Sequence, residues 1–279
     1  MKILITGAEG QLGHELCRVF KGNDLIPLNH KDGDITQREI IQKIEKARPD
    51  LVIHGAAYTD VDGCENNPDR AYLVNALGTR NVVLGAHRVG ADLVYISTDY
   101  VFDGKKEVPY TEFDITNPIN VYGASKLGGE WQVQHLTHKF YIVRSSWLYG
   151  LEGKNFVKTI LRLAREQETL KIVNDQIGCP TYVKDLALVI FHLIKTGAYG
   201  IYHAAADGGC TWFDFTEEIL KISKIQKKVN PISSKELGRP AKRPPNSVLK
   251  NFSLKTLGIK VRGWKEQIQD CLKEMKIGS

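Results

Sequence analysis

A tyrosine and a lysine four residues apart, Tyr122 and Lys126, carry side chains suited to proton transfer. On a helix, residues i and i+4 share a face, so the Lys126 ammonium can stand near the Tyr122 phenol and favour its phenolate. A free phenol has a pKa of about 10, so a positive neighbour is needed before it can exchange a proton at neutral pH. The pair predicts an acid–base site, although Tyr122 considered alone is more often a half-buried aromatic residue of a helix.

A hydroxyl group stands 24 residues before Tyr122, in the segment Ser97-Thr98-Asp99. This segment follows an apolar run of strand length. A hydroxyl at the carboxyl end of a strand is well placed to hold the carbonyl oxygen of a substrate. Thr98 is therefore a candidate for orienting a carbonyl next to the tyrosine.

Three glycines at a three-residue spacing, Gly7, Gly10 and Gly13, lie between the first apolar run and the first helical stretch. Gly7 permits a tight turn, Gly10 lets the backbone approach a pyrophosphate, and Gly13 allows close contact between helix and strand. The helix that follows offers free N–H groups and a favourable dipole. The pattern predicts a dinucleotide-binding turn.

The residues after the second strand distinguish between dinucleotides. A fold that prefers NAD usually has Asp or Glu here to accept from the ribose 2′-hydroxyl, and this chain has Asn29-His30-Lys31. A 2′-phosphate is therefore tolerated, which favours NADPH and leaves NADH possible. Asp34 is suited either to accept from the adenine amino group or to cap the following helix.

Small residues follow the third strand in the segment Gly55-Ala56-Ala57-Tyr58. They would let a cofactor lie across the carboxyl ends of the strands, where open α/β sheets bind ligands. Small residues also serve close helix packing, so this segment is weak evidence on its own.

The elements that must position these groups alternate between strand-length apolar runs and helical stretches. The runs are 2–6, 25–28, 51–55, 93–97 and 141–144, and the helical stretches are 11–21, 37–47, 70–89 and 121–138. Nearly continuous apolar strands are typical of a parallel sheet covered on both faces. We therefore predict an α/β fold, with a Rossmann-like doubly wound parallel sheet in residues 1–150. The looser pattern of residues 151–279 predicts a smaller C-terminal lobe that binds substrate.

Composition excludes several classes of protein. The 42% hydrophobic and 25% charged residues are typical of a globular chain. No apolar stretch is long enough for a membrane span and the N-terminus is unlike a signal peptide, so we expect a cytoplasmic protein without a membrane partner. Five scattered cysteines with no C-x-x-C pair indicate reduced thiols. No zinc-finger spacing or RNA-binding motif is found, so no nucleic-acid partner is expected.

The two halves of the chain differ in charge. Residues 1–140 carry 15 Lys and Arg against 19 Asp and Glu, whereas residues 141–279 carry 23 against 13. A basic C-terminal half either attracts a phosphorylated small molecule or is a solvated surface.

Taken together, these motifs resemble the extended short-chain dehydrogenases/reductases. The resemblance rests on the glycine turn, Ala56-Ala57-Tyr58, segment 97–104, the Tyr122 and Lys126 pair, and segment 144–150. Within that family the chain is most similar to the dTDP-4-dehydrorhamnose reductases, over essentially its whole length. The most specific matches are 98–104, the segment around Trp147, 175–181 and 243–249.

The resemblance implies reversible hydride transfer from NADPH to C4 of dTDP-4-dehydro-L-rhamnose, a nucleotide sugar. Tyr122 would protonate the oxygen, Lys126 would lower the phenol pKa and bind the nicotinamide ribose, and Thr98 would orient the carbonyl. The expected cofactor contacts are Gly7, Gly10, Gln11, Leu12, Gly13, His30, Asp34, Ile35, Ala56, Ala57, Tyr58, Tyr122 and Lys126. The expected substrate contacts are Thr98, Asp99 and Trp147, to which the basic half adds Arg239, Lys242 and Arg243 as candidate partners of the pyrophosphate.

The resemblance also implies that some members form a dimer linked by magnesium. In those members, acidic residues on the helix after a Pro-Thr pair bind the metal together with an acidic residue near the position of Glu15. Here Lys184 stands where a carboxylate is wanted. We therefore expect no metal, and a monomer or weak dimer without a metal bridge.

Two other functions remain open at this stage. A nucleotide-sugar 4-epimerase would use the same hydroxyl, tyrosine and lysine, and a non-catalytic regulatory subunit could retain the cofactor-binding fold. A dehydratase is disfavoured because Tyr100 occupies the position of the glutamate it needs.

Overall fold

The computed structural model describes residues 1–277 of the chain. Its strands are β1 (Lys2–Thr6), β2 (Asp24–Leu28), β3 (Leu51–His54), β4 (Asp92–Thr98), β5 (Phe140–Ser145), β6 (Leu148–Tyr149), β7 (Thr169–Val173), β8 (Ile177–Gly178), β9 (Thr181–Tyr182), β10 (Gly200–His203), β11 (Cys210–Thr211) and β12 (Lys228–Ile232). Its α-helices are α1 (Gln11–Val19), α2 (Glu39–Ala47), α3 (Val61–Asn66), α4 (Pro68–Tyr72), α5 (Thr79–Val89), α6 (Val121–Leu136), α7 (Phe156–Glu166), α8 (Val183–Leu193), α9 (Trp212–Ile222), α10 (Ser234–Leu237), α11 (Phe252–Thr256) and α12 (Trp264–Glu274).

A parallel sheet with the strand order β2-β1-β3-β4-β5-β10 forms the centre of the fold. Both faces are covered, since Ile3 and Ile5 of β1 pack into one core while Leu4 packs into the other. This double burial explains the continuous apolar runs of the strands. The predicted α/β fold class, a doubly wound parallel sheet, is confirmed.

The strand order reverses between β1 and β3. From β1 the chain passes to β2 on one side, and then returns to place β3 on the other side. Open α/β sheets bind their ligands in the crevice at such a switch point, outside the carboxyl ends of the strands. The fold therefore places a candidate site beside the glycine turn that follows β1.

The helix predicted over 70–89 is present, and its hydrogen-bond pattern changes part-way along. A π-helical turn, Leu73–Gly78, separates α4 from α5. Within it, the Asn75 side chain accepts a hydrogen bond from Tyr58 N (2.8 Å) and donates to Tyr58 O (3.1 Å) and Ser125 Oγ (2.9 Å). The wider turn accompanies these bonds, which join the loop after β3 to α6, and such turns are frequent at functional sites.

The strands of the central sheet come from both sides of residue 150. β10 pairs with β5 at one edge, and α8 packs against α1. The division into residues 1–150 and 151–279 stays a prediction. The central sheet itself extends across that division, because its edge strand β10 comes from the second segment.

Among residues 1–277, no helix has both the length and the apolar character that crossing a membrane requires.

Candidate active site

A cleft of about 1000 Å³ opens at the carboxyl ends of the central strands. It brings together most of the residues that the sequence singled out, which are Gly7, Gly10, Gln11, Leu12, Gly13, His30, Asp34, Ile35, Ala56, Ala57, Tyr58, Thr98, Asp99, Tyr122, Lys126 and Trp147. Arg239 and Arg243 are not among the residues that line it.

The glycine turn forms one wall of this cleft. Gly7 has φ +72°, and a Cβ on Gly13 would lie 2.3 Å from the Gly7 carbonyl oxygen, so neither position accommodates another residue without a backbone shift. Gly10 precedes α1 and provides no side-chain cap, which leaves the N–H groups of the first turn available. A cradle with these free donors fits a dinucleotide pyrophosphate.

The loop after β2 is held by Asn29. Its side-chain Oδ1 accepts from the N–H groups of Lys31 and Asp32, each at 2.9 Å, and its Nδ2 donates to Glu9. His30 and Lys31 are both exposed, and of the two only His30 lines the cleft. Because an amide replaces the acid that would contact a ribose 2′-hydroxyl, this corner tolerates a 2′-phosphate.

Asp34 lines the cleft and does not cap α2. That helix begins at Glu39, five residues later, with Arg38 at the capping position. Asp34 Oδ1 instead accepts from the backbone N–H and the hydroxyl of Thr36. The capping alternative is therefore wrong, and the contact of this carboxylate with adenine stays a prediction.

Tyr122 stands in the first turn of α6, two residues after the N-cap Asn120, whose Oδ1 accepts from Gly123 N at 2.7 Å. Burial raises the pKa of the phenol above its ordinary value, and the nearby Thr98 hydroxyl opposes that shift. The ring of Tyr100 packs edge-on against Tyr122, with 5.8 Å between centroids. The phenol therefore borders the cleft beside a hydroxyl, and its role as proton donor stays a prediction.

Lys126 lies one turn further along α6 and is buried. Its Nζ donates to the Ile96 carbonyl at 2.7 Å and stands 4.2 Å from the centroid of the Tyr95 ring. Burial lowers the pKa of Lys126 to about 7, and the nearby Glu130 carboxylate opposes the shift. Sequence reasoning expected the ammonium to act mainly on the Tyr122 phenol; the structure instead anchors it on β4, and desolvation dominates the pKa of both groups.

A buried ion pair lies behind the lysine. Arg144 donates to Glu130 Oε1 and Oε2 at 2.9 and 2.7 Å, and Ser97 Oγ donates to Oε1 at 2.5 Å. The Glu130 side chain is 0% exposed and that of Arg144 is 4% exposed. These bonds fix α6 onto β4 and β5 beneath the cleft.

Thr98 and Asp99 end β4 at the cleft. Thr98 Oγ1 donates to Asp99 Oδ1 at 3.1 Å, and Ser247 Oγ donates to Asp99 Oδ2 at 2.5 Å. Burial raises the pKa of Asp99 to about 7, against the effect of its hydrogen bonds with Ser247 and Thr98. Asp99 thus orients the Thr98 hydroxyl and joins it to the C-terminal part of the chain.

Trp147 is held in a constrained position. It has φ +48°, which is unusual for a bulky residue, and its ring stacks on Trp212 with centroids 3.4 Å apart. A Cβ on Gly178 would lie 2.4 Å from the Trp147 ring. Trp212 also lines the cleft, and no feature of the sequence indicated it because an aromatic residue at the start of a helix is unremarkable.

Arg239 and Arg243, the expected partners of a pyrophosphate, are ion-paired with Asp62 of α3 instead. Their NH1 atoms lie 3.3 and 3.0 Å from its two carboxylate oxygens. The loop that carries them crosses to α3 because Asp62 attracts both guanidinium groups and accepts from Ala241 N.

Lys184, which stands where a metal-binding carboxylate was wanted, pairs with Glu274 at 2.6 Å. Glu15 is buried and accepts from Arg18. Across residues 1–277, no group of three or more His, Cys, Asp or Glu side chains could hold a metal ion. The absence of a metal-bridged dimer stays a prediction.

Residues 1–277 match the family described as the RmlD substrate binding domain. The chain belongs to this family. Its fit to the RmlD substrate binding domain extends over both the glycine turn and the C-terminal part that carries Asp99's partner Ser247.

Three proteins are similar to this member of the RmlD substrate binding domain family over nearly its whole length. Spore coat polysaccharide biosynthesis protein SpsK of Bacillus subtilis is 42% identical over 276 residues, which are 98% of this chain and 97% of that protein. The crystal structure of a dTDP-4-dehydrorhamnose reductase of Clostridium acetobutylicum has a TM-score of 0.97 and 46% identity, covering 99% of this chain and 100% of that one. The dTDP-4-dehydrorhamnose reductase of Bacillus anthracis, solved in complex with NADP, has a TM-score of 0.96 and 44% identity, covering 98% and 99%. The predicted resemblance to the dTDP-4-dehydrorhamnose reductases is confirmed.

Proposed function

We propose that the chain reduces the C4 keto group of dTDP-4-dehydro-L-rhamnose to give dTDP-L-rhamnose, with NADPH as the hydride donor. The observation that carries this proposal is that one cleft contains both the glycine turn and the Thr98, Tyr122 and Lys126 set. Relatives with the same fold are named for this reaction, and one of them holds NADP.

The cofactor fits the first part of the cleft. The free N–H groups of Gln11, Leu12 and Gly13 would bind its pyrophosphate, and the loop at His30 has room for a 2′-phosphate. When bound, NADPH supplies the hydride, and the protein supplies orientation and charge.

The side chains of the chain perform the proton chemistry. Tyr122 donates its phenolic proton to the keto oxygen, which Thr98 holds in place through its hydroxyl. Lys126 binds the nicotinamide ribose and, when protonated, favours the phenolate that remains. Asp99 and Trp147 contact the sugar nucleotide. Arg239 and Arg243, which are paired with Asp62 in this structure, would have to leave that carboxylate to contact the pyrophosphate.

The proposal includes a cytoplasmic, monomeric or weakly dimeric enzyme. The described cysteines are free thiols, as a reducing compartment would keep them. The ion pair of Lys184 with Glu274 favours assembly without a bridging metal.

The test is to mix the purified chain with NADPH and either dTDP-4-dehydro-L-rhamnose or the corresponding UDP sugar, and to follow NADPH absorbance. We expect rapid oxidation with the dTDP sugar and none in a Tyr122→Phe control. Turnover of dTDP sugars without NADPH consumption, by a chain that retains NAD through purification, would show a 4-epimerase instead. No turnover by a chain that binds NADPH would favour the regulatory subunit.

A further inference from the structure

We propose that Asp62 is a positioning residue that holds Arg239 and Arg243 at the rim of the cleft, and that the diphosphate of the substrate replaces Asp62 on these two guanidinium groups. The inference rests on the proposed function, because it takes a nucleoside diphosphate as the ligand. It goes beyond that function in two respects. The Asp62 carboxylate competes with the diphosphate for the arginines, and residues 239–245, here called the rim segment, carry those arginines.

The first observation is that two guanidinium groups share one carboxylate, that of Asp62. Asp62 Oδ1 accepts from Arg243 NH1 (3.0 Å) and Ala241 N (3.2 Å), and Oδ2 accepts from Arg239 NH1 (3.3 Å). Although burial opposes it, the hydrogen bonds from Arg243 and Ala241 hold the pKa of Asp62 below its ordinary value. A single negative charge thus serves two guanidinium groups, whose planar forks match phosphate oxygens as well as carboxylate.

The second observation is that Tyr100 lies between Arg243 and Tyr122. The Arg243 side chain is only 17% exposed, and its guanidinium lies close enough to Tyr100, which lines the cleft, to oppose the rise that burial causes in the pKa of that phenol. The Tyr100 ring packs edge-on against Tyr122. Val61, the neighbour of Asp62, also lines the cleft. A phosphate that enters the cleft beside Tyr100 would therefore approach Arg243.

The third observation is that the rim segment touches the start of α6. Asn120, the N-cap of that helix, donates to the Lys242 carbonyl at 2.8 Å. On the other side, Glu65 of α3 accepts from Val121 N at 2.8 Å. Helix α3 thus holds both the rim segment, through Asp62, and the turn that carries Tyr122. Diphosphate binding at the rim would act on the position of the proton donor.

The experiment measures the affinity of the full chain for dTDP and for thymidine by titration calorimetry. Asp62→Asn keeps the shape of the side chain and removes its charge. We expect dTDP to bind about two- to tenfold more tightly, since two partly exposed ion pairs no longer compete, and thymidine to bind unchanged. The gain should shrink at high salt. Asp69→Asn removes an exposed acid from the neighbouring helix α4 and serves as the control for net charge.

A structural tie alone would give a different result. If Asp62 only fastens the rim segment, Asp62→Asn weakens dTDP binding or leaves it unchanged, and the proposal is overturned. A second arm uses Arg239→Gln with Arg243→Gln, which should weaken dTDP but not thymidine, and in which adding Asp62→Asn should have no further effect. An additional gain in that background would also refute competition through the arginines.

The two proposals fail separately. Wild-type protein that does not bind dTDP contradicts the substrate class of the proposed function. Wild-type protein that binds dTDP and turns over the keto sugar, but whose affinity Asp62→Asn does not raise, contradicts only the role of Asp62.

Discussion

Replacing Glu130 by glutamine should destabilise the protein severely. The change removes the negative charge of a buried ion pair while keeping the size and shape of the side chain. Glu130 accepts two hydrogen bonds from Arg144 and one from Ser97, and neither charged side chain reaches solvent appreciably. A glutamine keeps one acceptor oxygen. Its amide N–H groups would face an Arg144 donor, and the guanidinium would remain buried without a counter-charge.

The magnitude follows from that geometry. Removing one partner of a buried, hydrogen-bonded pair costs about 3–5 kcal/mol of unfolding free energy. For a chain of this size, that corresponds to a fall in melting temperature of roughly 10 °C. The matched control is Glu166→Gln, which breaks the pair with Arg162 on the surface of α7, where the side chains are 52% and 59% exposed. We expect that control to cost about 0.5 kcal/mol or less.

Urea denaturation followed by circular dichroism measures both variants. The slope against urea should be unchanged and the midpoint should shift for Glu130→Gln alone. The reasoning would be refuted if the two variants lost equal stability. As a further check, the double change Glu130→Leu with Arg144→Met should recover much of the loss, since it leaves no unpaired buried charge.

Four other outcomes are expected. Tyr122→Phe should lower kcat about 10²–10⁴-fold while NADPH titration stays normal, whereas Lys126→Met should weaken NADPH binding as well; retention of more than about a tenth of kcat by Tyr122→Phe would exclude it as the proton donor. NADPH should be used at least as well as NADH. A kcat/KM preference for NADH above about tenfold would contradict the interpretation that the loop after β2 accepts a 2′-phosphate. Activity should not need magnesium, and sedimentation should be the same with and without a chelator, because Lys184 is paired with Glu274 rather than placed to bind metal. Because burial lowers the pKa of Lys126 to about 7, its protonated form is lost as pH rises through that value, and kcat/KM for NADPH, which reports the free enzyme, should fall on the alkaline side; a rate still rising at about pH 9 would contradict this role.

Local pattern predicted the framework of the fold well. The strands β1 to β5 and the helices α1 and α6 lie close to their predicted positions because apolar period and glycine placement are local properties. The residues of the cleft followed for the same reason, since parallel strands bring their carboxyl ends to one edge.

What the sequence could not predict depends on contacts between distant residues. Arg243 and Asp62 are 181 positions apart, and the sequence around either residue does not indicate that they form an ion pair. The π-helical turn arises from bonds of Asn75 to a loop and to another helix. The pKa of Lys126 depends on a burial that a four-residue spacing does not reveal. Trp212 joins the cleft only because the stack with Trp147 places it there.

The edge position of β10 has a consequence for synthesis on the ribosome. Until residue 203 has left the exit tunnel, β5 lacks its neighbour and presents an unpaired row of backbone donors and acceptors. Such an edge is a template for pairing with another nascent chain. A gene fragment ending near residue 150 would keep that edge permanently open, so expression of the first 150 residues alone is expected to yield aggregates, and a fragment intended to fold by itself must extend beyond β10.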